Sequence, residues 1–378
     1  MVSYTKRHRE KIYLYKYMEI QYIILAFIIT LVTIPLIVYF ATKKRLLSRP
    51  NNRSSHSTPI TALGGIAIYL GFIIPNLFLH HVDTFQFTLI FICSTIIFGL
   101  GLIDDIIDIR AYKKLIIIIV FSIVISSIDQ LTISNLHGLF NIYYIPKYIG
   151  IPLTTLVVIV IINSINLVDG IDGLASSLSI INLSYYSYIF YLAGKIHYLN
   201  SNLIIIASLL AFLSYNLYGK RFKIFMGDSG SLLIGLLLSI SILHFINLEG
   251  EIIENSCSIY VSTIFALLVV PLYDIMHVCI RRMTLGLKIF IPDKRHIHHT
   301  FLKLGFTHKH TSVILVNYTL VFFLISEILN RHTRCWIAMV IILILAKIAW
   351  GIPEHILKKN LRKYAIKEAI KRDLNGEK

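Results

Sequence analysis

Long, uninterrupted apolar runs recur along the whole chain, separated by short polar segments. About eleven of these runs are long enough, or nearly long enough, to cross roughly 30 Å of hydrocarbon as helices. They cover residues 20–40, 63–79, 85–103, 115–128, 151–165, 174–193, 203–217, 232–246, 259–280, 313–329 and 336–350. The runs are continuous rather than alternating, and within a bilayer a helix satisfies its own backbone. The pattern therefore predicts an all-α, polytopic integral membrane protein with about eleven transmembrane helices.

The composition strengthens the membrane assignment. Of the 378 residues, 56% are hydrophobic and 15% are charged, whereas an average soluble domain carries about 25% charged residues. The net charge of +16 comes from basic residues in the short segments between apolar runs. Because no soluble basic domain stands apart from those runs, we expect no nucleic-acid partner, and we expect contact with membrane lipid.

Basic residues are distributed unevenly between the connections. If eleven segments cross the membrane, the odd-numbered connections carry 18 Lys and Arg residues and the even-numbered ones carry 4. By the positive-inside rule, the odd-numbered connections and the C-terminal tail face the cytoplasm.

This topology divides the chain into three parts. Residues 1–19 form a basic N-terminal leader, residues 20–350 a transmembrane domain, and residues 351–378 a basic cytoplasmic tail. The leader conflicts with the charge rule, because the topology places it outside the cell. Met18 lies directly before the first run, so we hypothesise that translation starts there, and the choice between Met1 and Met18 stays open.

Almost every unusual polar cluster falls in an odd-numbered connection. These clusters lie at residues 53–56, 104–108, 163–172, 227–231 and 296–299. Five clusters brought to one membrane face predict one shared site on the cytoplasmic face.

The second of these clusters is acidic. Asp104, Asp105 and Asp108 end an apolar helix, with Asp104 and Asp108 expected on one helical face. Carboxylates so close repel one another unless a cation lies among them. Because Mg²⁺ takes one or two carboxylates together with substrate phosphates, this cluster is a candidate metal site.

The third cluster combines amides, carboxylates and glycines at a predicted membrane boundary. Asn163, Asn166, Asp169 and Asp172 are interleaved with glycines that permit a tight turn. Amide and carboxylate groups can bind the edge of a nucleobase or complete a metal shell. A capped helix end is the alternative interpretation.

The fourth cluster, around Asp228, opens the eighth apolar run. Small residues with free N–H groups at a helix start favour an anion. Asp228 itself is either a metal ligand or a helix N-cap.

The first and last clusters are basic. His296, His298 and His299 lie in the longest cytoplasmic connection, where no Cys or acidic partner completes a zinc set. Donation to a diphosphate is the favoured role, and a solvated loop is the alternative. Arg53 and His56 precede a glycine pair and could serve as topology signals alone.

Taken in chain order, these motifs resemble one known family. They read R-x-x-H-x-x-P…GG, DDxxD, NxxNLxDGxDGLA, GDSGS and HIHH, all on one predicted face. The set resembles the polyprenyl-phosphate N-acetylhexosamine-1-phosphate transferases, glycosyltransferase family 4. The resemblance covers roughly residues 40–310.

The resemblance implies a phosphoglycosyl transferase of the plasma (inner) membrane. It implies transfer of N-acetylhexosamine-1-phosphate, N-acetylglucosamine (GlcNAc) by default, from a UDP-sugar to undecaprenyl phosphate. UMP is released with Mg²⁺ or Mn²⁺ as cofactor, and the product starts a lipid-linked cell-surface polysaccharide.

The resemblance also implies a role for individual residues. The catalytic residues are Asp104, Asp105 and Asp169, and the metal residues are Asp228, Asn166 and Asp104. The substrate-binding residues are Asp172, Asn163, Lys114, His296, His298, His299, Arg53 and His56.

Two other functions compete with this one. A phospho-N-acetylmuramoyl-pentapeptide-type transferase shares the chemistry, but the HIHH motif resembles the N-acetylglucosamine branch. A transporter would place ionisable residues near the bilayer midplane, whereas here they collect at helix ends. The identity of the hexosamine, the polysaccharide pathway, direct versus covalent transfer and the oligomeric state, including a homodimer, stay open.

Overall fold

The structure, a computed structural model, describes residues 19–44, 60–79, 84–248, 261–287 and 296–374, without the side chains of residues 84 and 363–374. Thirteen α-helices and one short 3₁₀ turn make up the ordered elements of this part of the chain, and no strand occurs there. The helices are α1 (Ile20–Lys43), α2 (Gly64–Asn76), α3 (Thr84–Ile107), α4 (Ala111–Ser126), α5 (Lys147–Val168), α6 (Leu174–Leu192), α7 (Ile196–Tyr218), α8 (Gly227–Ile246), α9 (Val261–Leu267), α10 (Val269–Thr284), α11 (Ile297–Lys303), α12 (His308–His332) and α13 (Cys335–Leu374).

Each predicted apolar run coincides with one helix, except the ninth, which coincides with α9 and α10 together. Among the described residues, seven helices are long and apolar enough to cross a membrane, or eight if the bent pair α9–α10 counts as one span. Helices α2 and α4 are shorter, with 13 and 16 residues. The protein is therefore all-α and polytopic, as predicted, while the number eleven stays a prediction.

Helix α8 forms the centre of the bundle. All its residues from Ser229 to Ile246 are buried, against α2, α3, α5 and α6. A helix that is apolar on every side is stable only when neighbours surround it. Because α8 begins with the Asp228 motif, its central position brings that motif within reach of the other helix ends.

The break between α9 and α10 bends the chain by 82° at Leu268. Such a break leaves backbone carbonyls without helical partners, and in lipid those carbonyls need others. Asn182 of α6 donates one hydrogen bond to the carbonyl of Leu267, at 3.0 Å. The bend directs α10 toward the histidine motif.

Helix α13 continues without interruption past residue 350, where we predicted the start of the cytoplasmic tail. Glu354, beyond that boundary, accepts a hydrogen bond from Arg281 of α10 at 3.1 Å. The first turns of the predicted tail thus belong to the packed bundle. The sidedness of the tail stays a prediction, and the predicted leader lies almost wholly outside the described residues.

Candidate active site

Two carboxylates from distant helices meet at one lysine. Asp104 lies at the C-terminal end of α3, and its Oδ2 accepts a hydrogen bond from Lys114 Nζ at 3.0 Å. The same ammonium group also donates to Asp228, in the first turn of α8. Both Lys114 and Asp104 keep little exposed surface, whereas the Asp228 side chain is one-third exposed. Asp228 is therefore the carboxylate of this group that a ligand reaches most easily.

Asn166 fixes the orientation of Asp228 from a fourth helix. Its Nδ2 donates to Asp228 Oδ1 at 2.8 Å and to Ser231 Oγ at 2.8 Å. Asn166 lies in the last turn of α5, so the ends of four helices contribute to the polar group of Asp104, Lys114, Asn166 and Asp228. We call these four residues the acidic cluster.

Asp105 has a different environment from its neighbour Asp104. Its two carboxylate oxygens accept hydrogen bonds from the backbone N–H groups of Asp228 and Ser229, at 2.7 and 3.0 Å. The start of a helix has unpaired N–H groups and a partial positive charge, which a carboxylate stabilises. Asp105 therefore caps α8 from α3 and holds the backbone of Asp228 in place.

The close approach of these helices depends on glycine. At Gly101, a Cβ atom would lie 2.5 Å from Asp228 O, and at Gly65 it would lie 2.2 Å from Gly230 N. Gly227 has a φ of +73°, and a Cβ there would lie 1.9 Å from the carbonyl oxygen of Ala62. The N–H of Gly65 donates to Met226 O at 2.8 Å, which joins the start of α2 to the start of α8.

Asp169 follows α5 directly and lies among other acidic groups. Burial raises the pKa of its carboxyl well above the ordinary value, and the nearby carboxylates of Asp228 and Asp105 raise it further. The Gly227 backbone N–H donates to Asp169 and opposes this shift. A raised pKa is typical of carboxyl groups in functional sites.

Asp172 is held by a lysine from the connection between α7 and α8. Lys223 Nζ donates to Asp172 Oδ2 at 2.6 Å. Next to it, the Gly173 N–H donates to Asn216 Oδ1 at 2.6 Å, and Asn216 in turn donates to the Ile224 carbonyl at 2.9 Å. These bonds join the DGxDG turn to the segment before Asp228.

The histidine motif lies against the same turn. His298 is 2% exposed, and a Cβ built on Gly170 would lie 3.7 Å from its Nε2. Burial lowers the pKa of His298 to about 3, so its imidazole is neutral at pH 7. Its buried Nδ1 has no hydrogen-bond partner among the described residues. His298 can therefore offer a ligand one hydrogen bond but no positive charge.

The structure brings most of the predicted site residues together. Asp105 and Asp169 accept hydrogen bonds from the start of α8, next to Asp228 of the acidic cluster. Asp172 lies near enough to Asp169 to raise the pKa of its carboxyl, and His298 meets the DGxDG turn at Gly170. His299 lies beside His298, with ring centroids 4.3 Å apart. Asn163, in contrast, donates to the Ile159 carbonyl of its own helix at 2.8 Å. Arg53 and His56 lie outside the described residues.

One expectation about the acidic motif is wrong. Helix α3 ends at Ile107, and Asp108 is exposed with a φ of 60°. Asp108 therefore does not continue the helical face that carries Asp104. The spacing of the motif could not reveal this, because it assumes that the helix extends through the last aspartate.

Sequence reasoning missed two residues that support the histidine motif. Asp274 accepts hydrogen bonds from His296 and from Trp350, and both partners are distant along the chain. The hydrophobic pattern places Asp274 within the apolar run 259–280 and indicates no role for it. A single carboxylate inside such a run was the available signal, because a charged residue at that depth is costly and usually functional.

No group of three or more His, Cys, Asp and Glu side chains in the described ranges is arranged to hold a metal ion by itself. The oxygens of Asp104 and Asp228 do converge on one positive charge, the ammonium of Lys114. Two convergent carboxylates can hold Mg²⁺ when substrate phosphates supply the other ligands. The donor set fits that kind of site and not an all-protein cage.

Comparison with known proteins decides the family. The model of glycosyl transferase family 4 matches residues 87–246, which include the acidic cluster. A probable undecaprenyl-phosphate N-acetylglucosaminyl 1-phosphate transferase of Bacillus subtilis is 35% identical over 332 residues, 85% of this chain and 89% of that protein. The chain belongs to glycosyl transferase family 4.

Two enterobacterial proteins with closely similar names also match this chain. The undecaprenyl-phosphate alpha-N-acetylglucosaminyl 1-phosphate transferase of Escherichia coli K12 is 28% identical over 344 residues, 85% of this chain and 90% of that protein. The Salmonella typhi protein of the same name is 28% identical over 296 residues, 76% of this chain and 78% of that protein. The family resemblance predicted from the motifs is confirmed.

Proposed function

We propose that the protein transfers GlcNAc-1-phosphate from UDP-GlcNAc to undecaprenyl phosphate, releases UMP and so starts a lipid-linked cell-surface polysaccharide. The observation that carries the proposal is the acidic cluster, where Asp104 and Asp228 converge on Lys114. The names of the family relatives supply the sugar phosphate and the lipid acceptor.

In the proposed reaction, an oxygen of the acceptor phosphate attacks the phosphorus that carries the sugar. A new P–O bond forms to the lipid phosphate, and the bond from that phosphorus to UMP breaks, so that UMP leaves with the bridging oxygen and its electron pair. The acceptor phosphate is largely ionised near pH 7, so a strong general base is not essential. The main barrier is the approach of one anion to another, and cationic or N–H donors lower it.

The residues of the site have separate tasks in this reaction. Lys114 provides positive charge where Asp104 and Asp228 meet. His298 offers a neutral hydrogen bond beside the DGxDG turn. Asp105 keeps the first turn of α8 in place, and the Lys223–Asp172 ion pair holds the turn after α5. Asp169 is a candidate for proton exchange because its pKa is raised.

A divalent cation, Mg²⁺ or Mn²⁺, belongs to the proposal. Asp228 and Asp104 would hold it, with Asn166 orienting Asp228 through the bond to Oδ1. When bound, it would offset the negative charge of the diphosphate. All the residues named come from one chain, so the proposed chemistry does not require a homodimer.

The orientation in the membrane is also a proposal. We infer eleven crossings with the acidic cluster and the histidine motif on the cytoplasmic side of the plasma membrane. The basic residues of the odd-numbered connections support this orientation. UDP-sugars are cytoplasmic and the polyprenyl chain needs lipid, so a site at that membrane face reaches both substrates.

Sealed membrane vesicles test the activity and its orientation together. Inside-out vesicles that contain the protein, supplied with UDP-GlcNAc, Mg²⁺ and undecaprenyl phosphate, should release UMP, and vesicles without added acceptor should release little. Right-side-out vesicles should release UMP only after permeabilisation. UMP release in neither preparation contradicts the function, and equal release from intact right-side-out vesicles contradicts the orientation alone. A transporter would release no UMP in any preparation.

A further inference from the structure

Asp274 of α10 is almost fully buried, with 1% of its surface exposed. Three donors surround its carboxylate. His296 Nδ1 lies 2.9 Å from Oδ2, the Ile297 backbone N–H donates to Oδ1 at 2.8 Å, and Trp350 Nε1 donates to Oδ1 at 3.2 Å. A buried carboxylate is very costly without hydrogen bonds and stable with several. Three hydrogen-bond donors, from the start of α11 and from α13, therefore stabilise this one carboxylate.

Two of the three donors lie in the histidine motif, and the third lies on α13. His296 is the residue before α11, and Ile297 is its first residue, so Asp274 fixes where that short helix begins. Trp350 comes from the middle of α13 and packs its ring against Tyr273 at 4.9 Å between centroids. Asp274 thus connects α10, α11 and α13 at one point.

This arrangement sets the orientation of the His296 ring. An ionised carboxylate only accepts hydrogen bonds, so the Nδ1 that faces it carries the proton and Nε2 points away from Asp274. The rings of His296 and His298 are parallel within 4°, with centroids 5.7 Å apart. His298 in turn lies against Gly170 of the DGxDG turn. The position of one carboxylate therefore determines the positions of two imidazoles relative to the acidic cluster.

We infer that Asp274 is a positioning residue, which acts through His296 to hold the histidine motif toward the diphosphate of the donor, and that Trp350 completes this clamp from the C-terminal helix. The inference rests on the proposed function, because it assigns the diphosphate as the ligand of the motif. It gives α13, which carries no motif residue, a direct role at the site.

A double-mutant cycle tests whether Asp274 acts through His296. We expect Asp274→Asn to lower kcat about 10- to 100-fold, the range seen when a residue that orients a functional imidazole is removed. The KM for UDP-GlcNAc should change less than about threefold, because the aligned donor matters most as charge shifts in the transition state. The double variant Asp274→Asn with His296→Gln should be no slower than His296→Gln alone.

A second variant of the clamp and a control variant accompany this cycle. Trp350→Phe keeps an aromatic ring, although a smaller one, and removes the N–H donor, so kcat should fall about three- to tenfold, and this loss should also disappear in the His296→Gln background. Glu354→Gln is the matched control. Glu354 lies one turn further along α13 and accepts hydrogen bonds from Arg281 and His277 of α10 rather than from the histidine motif. It should leave kcat within about twofold of wild type.

The outcomes separate the clamp from the proposed function. If wild-type protein releases no UMP, the proposed function fails. If wild type is active but the losses from Asp274→Asn and His296→Gln multiply, Asp274 has only a structural role and the clamp is refuted. If Asp274→Asn does not fold, the cycle of Trp350→Phe with His296→Gln decides by the same criterion.

Discussion

At the scale of single residues, the two adjacent aspartates of α3 have distinct surroundings. Asp104 contacts Lys114, which also contacts Asp228, whereas Asp105 uses both oxygens to cap α8. Successive positions on a helix point about 100° apart, so neighbours in sequence reach different partners. Asp105 caps α8, whereas Asp228 faces the ammonium group of Lys114. We therefore expect Asp→Asn to have different consequences at Asp105 and at Asp228.

Asp228→Asn should lower kcat about 100- to 1,000-fold with little loss of stability, because it removes charge from a partly exposed carboxylate at the reacting centre. Asp105→Asn should also lower the free energy of unfolding, by about 1–2 kcal/mol, because an amide has one acceptor oxygen for two backbone N–H groups. Steady-state kinetics and thermal unfolding in detergent measure both effects. Lys147→Gln is the control, since Lys147 pairs with Asp129 on the exposed surface. Equal stability of the Asp105 and Asp228 variants would contradict the capping role.

The sequence made most of the site predictable at this scale, but not all of it. Asp104, Asn166 and Asp228 stand out because their spacing with glycine and other polar residues is unusual in an apolar chain. Asp274 and Trp350 do not stand out, because each is alone among apolar residues and its partners are distant in sequence. Asp274 and Trp350 are 76 positions apart and meet because their helices pack together, which the spacing of residues in the sequence does not reveal.

At the scale of helices, the first turn of α8 is the element on which the site depends most. It touches α2 at Gly65 and α3 at Gly101, and it begins at Gly227 in a left-handed conformation. Backbone this close leaves no room for side chains, so glycine at these positions follows from the geometry.

Gly227→Ala should be strongly destabilising. The left-handed conformation costs a residue with a Cβ about 1–2 kcal/mol, and the overlap with the Ala62 carbonyl adds about 1–3 kcal/mol. Gly194→Ala is the matched control, because Gly194 also has a positive φ, of 69°, but a Cβ there would meet nothing within 4 Å. Thermal unfolding of the two variants separates the terms. An equal loss in both would mean that the close contact at Gly227 contributes nothing.

The apolar runs predicted where the helices lie but not how they bend. Hydrophobicity locates a segment in the bilayer without recording its direction, so α9 and α10 read as one span although they meet at 82°. Pro271, near the start of α10, did not reveal the bend, because Pro35 and Pro353 lie inside helices α1 and α13, which continue without a break.

At the scale of the whole molecule, the fold brings the ends of several helices to one site. The acidic cluster draws on α3, α4, α5 and α8, and the histidine motif draws on α10, α11 and α13. In the proposed orientation, these helix ends lie at the boundary between lipid and water, where a polyprenyl phosphate and a soluble nucleotide sugar can meet. This placement favours transfer between the two phases over transport across the membrane.

In the proposed reaction, the phosphate moves together with the sugar. UDP-GlcNAc labelled with ³²P on the phosphorus next to the sugar tests it directly, using purified protein, Mg²⁺ and undecaprenyl phosphate. We predict that the label enters the lipid fraction in equal amount to the sugar, while the released nucleotide is unlabelled UMP. Labelled UDP beside a lipid that carries sugar without ³²P would mean simple glycosyl transfer and would contradict the account.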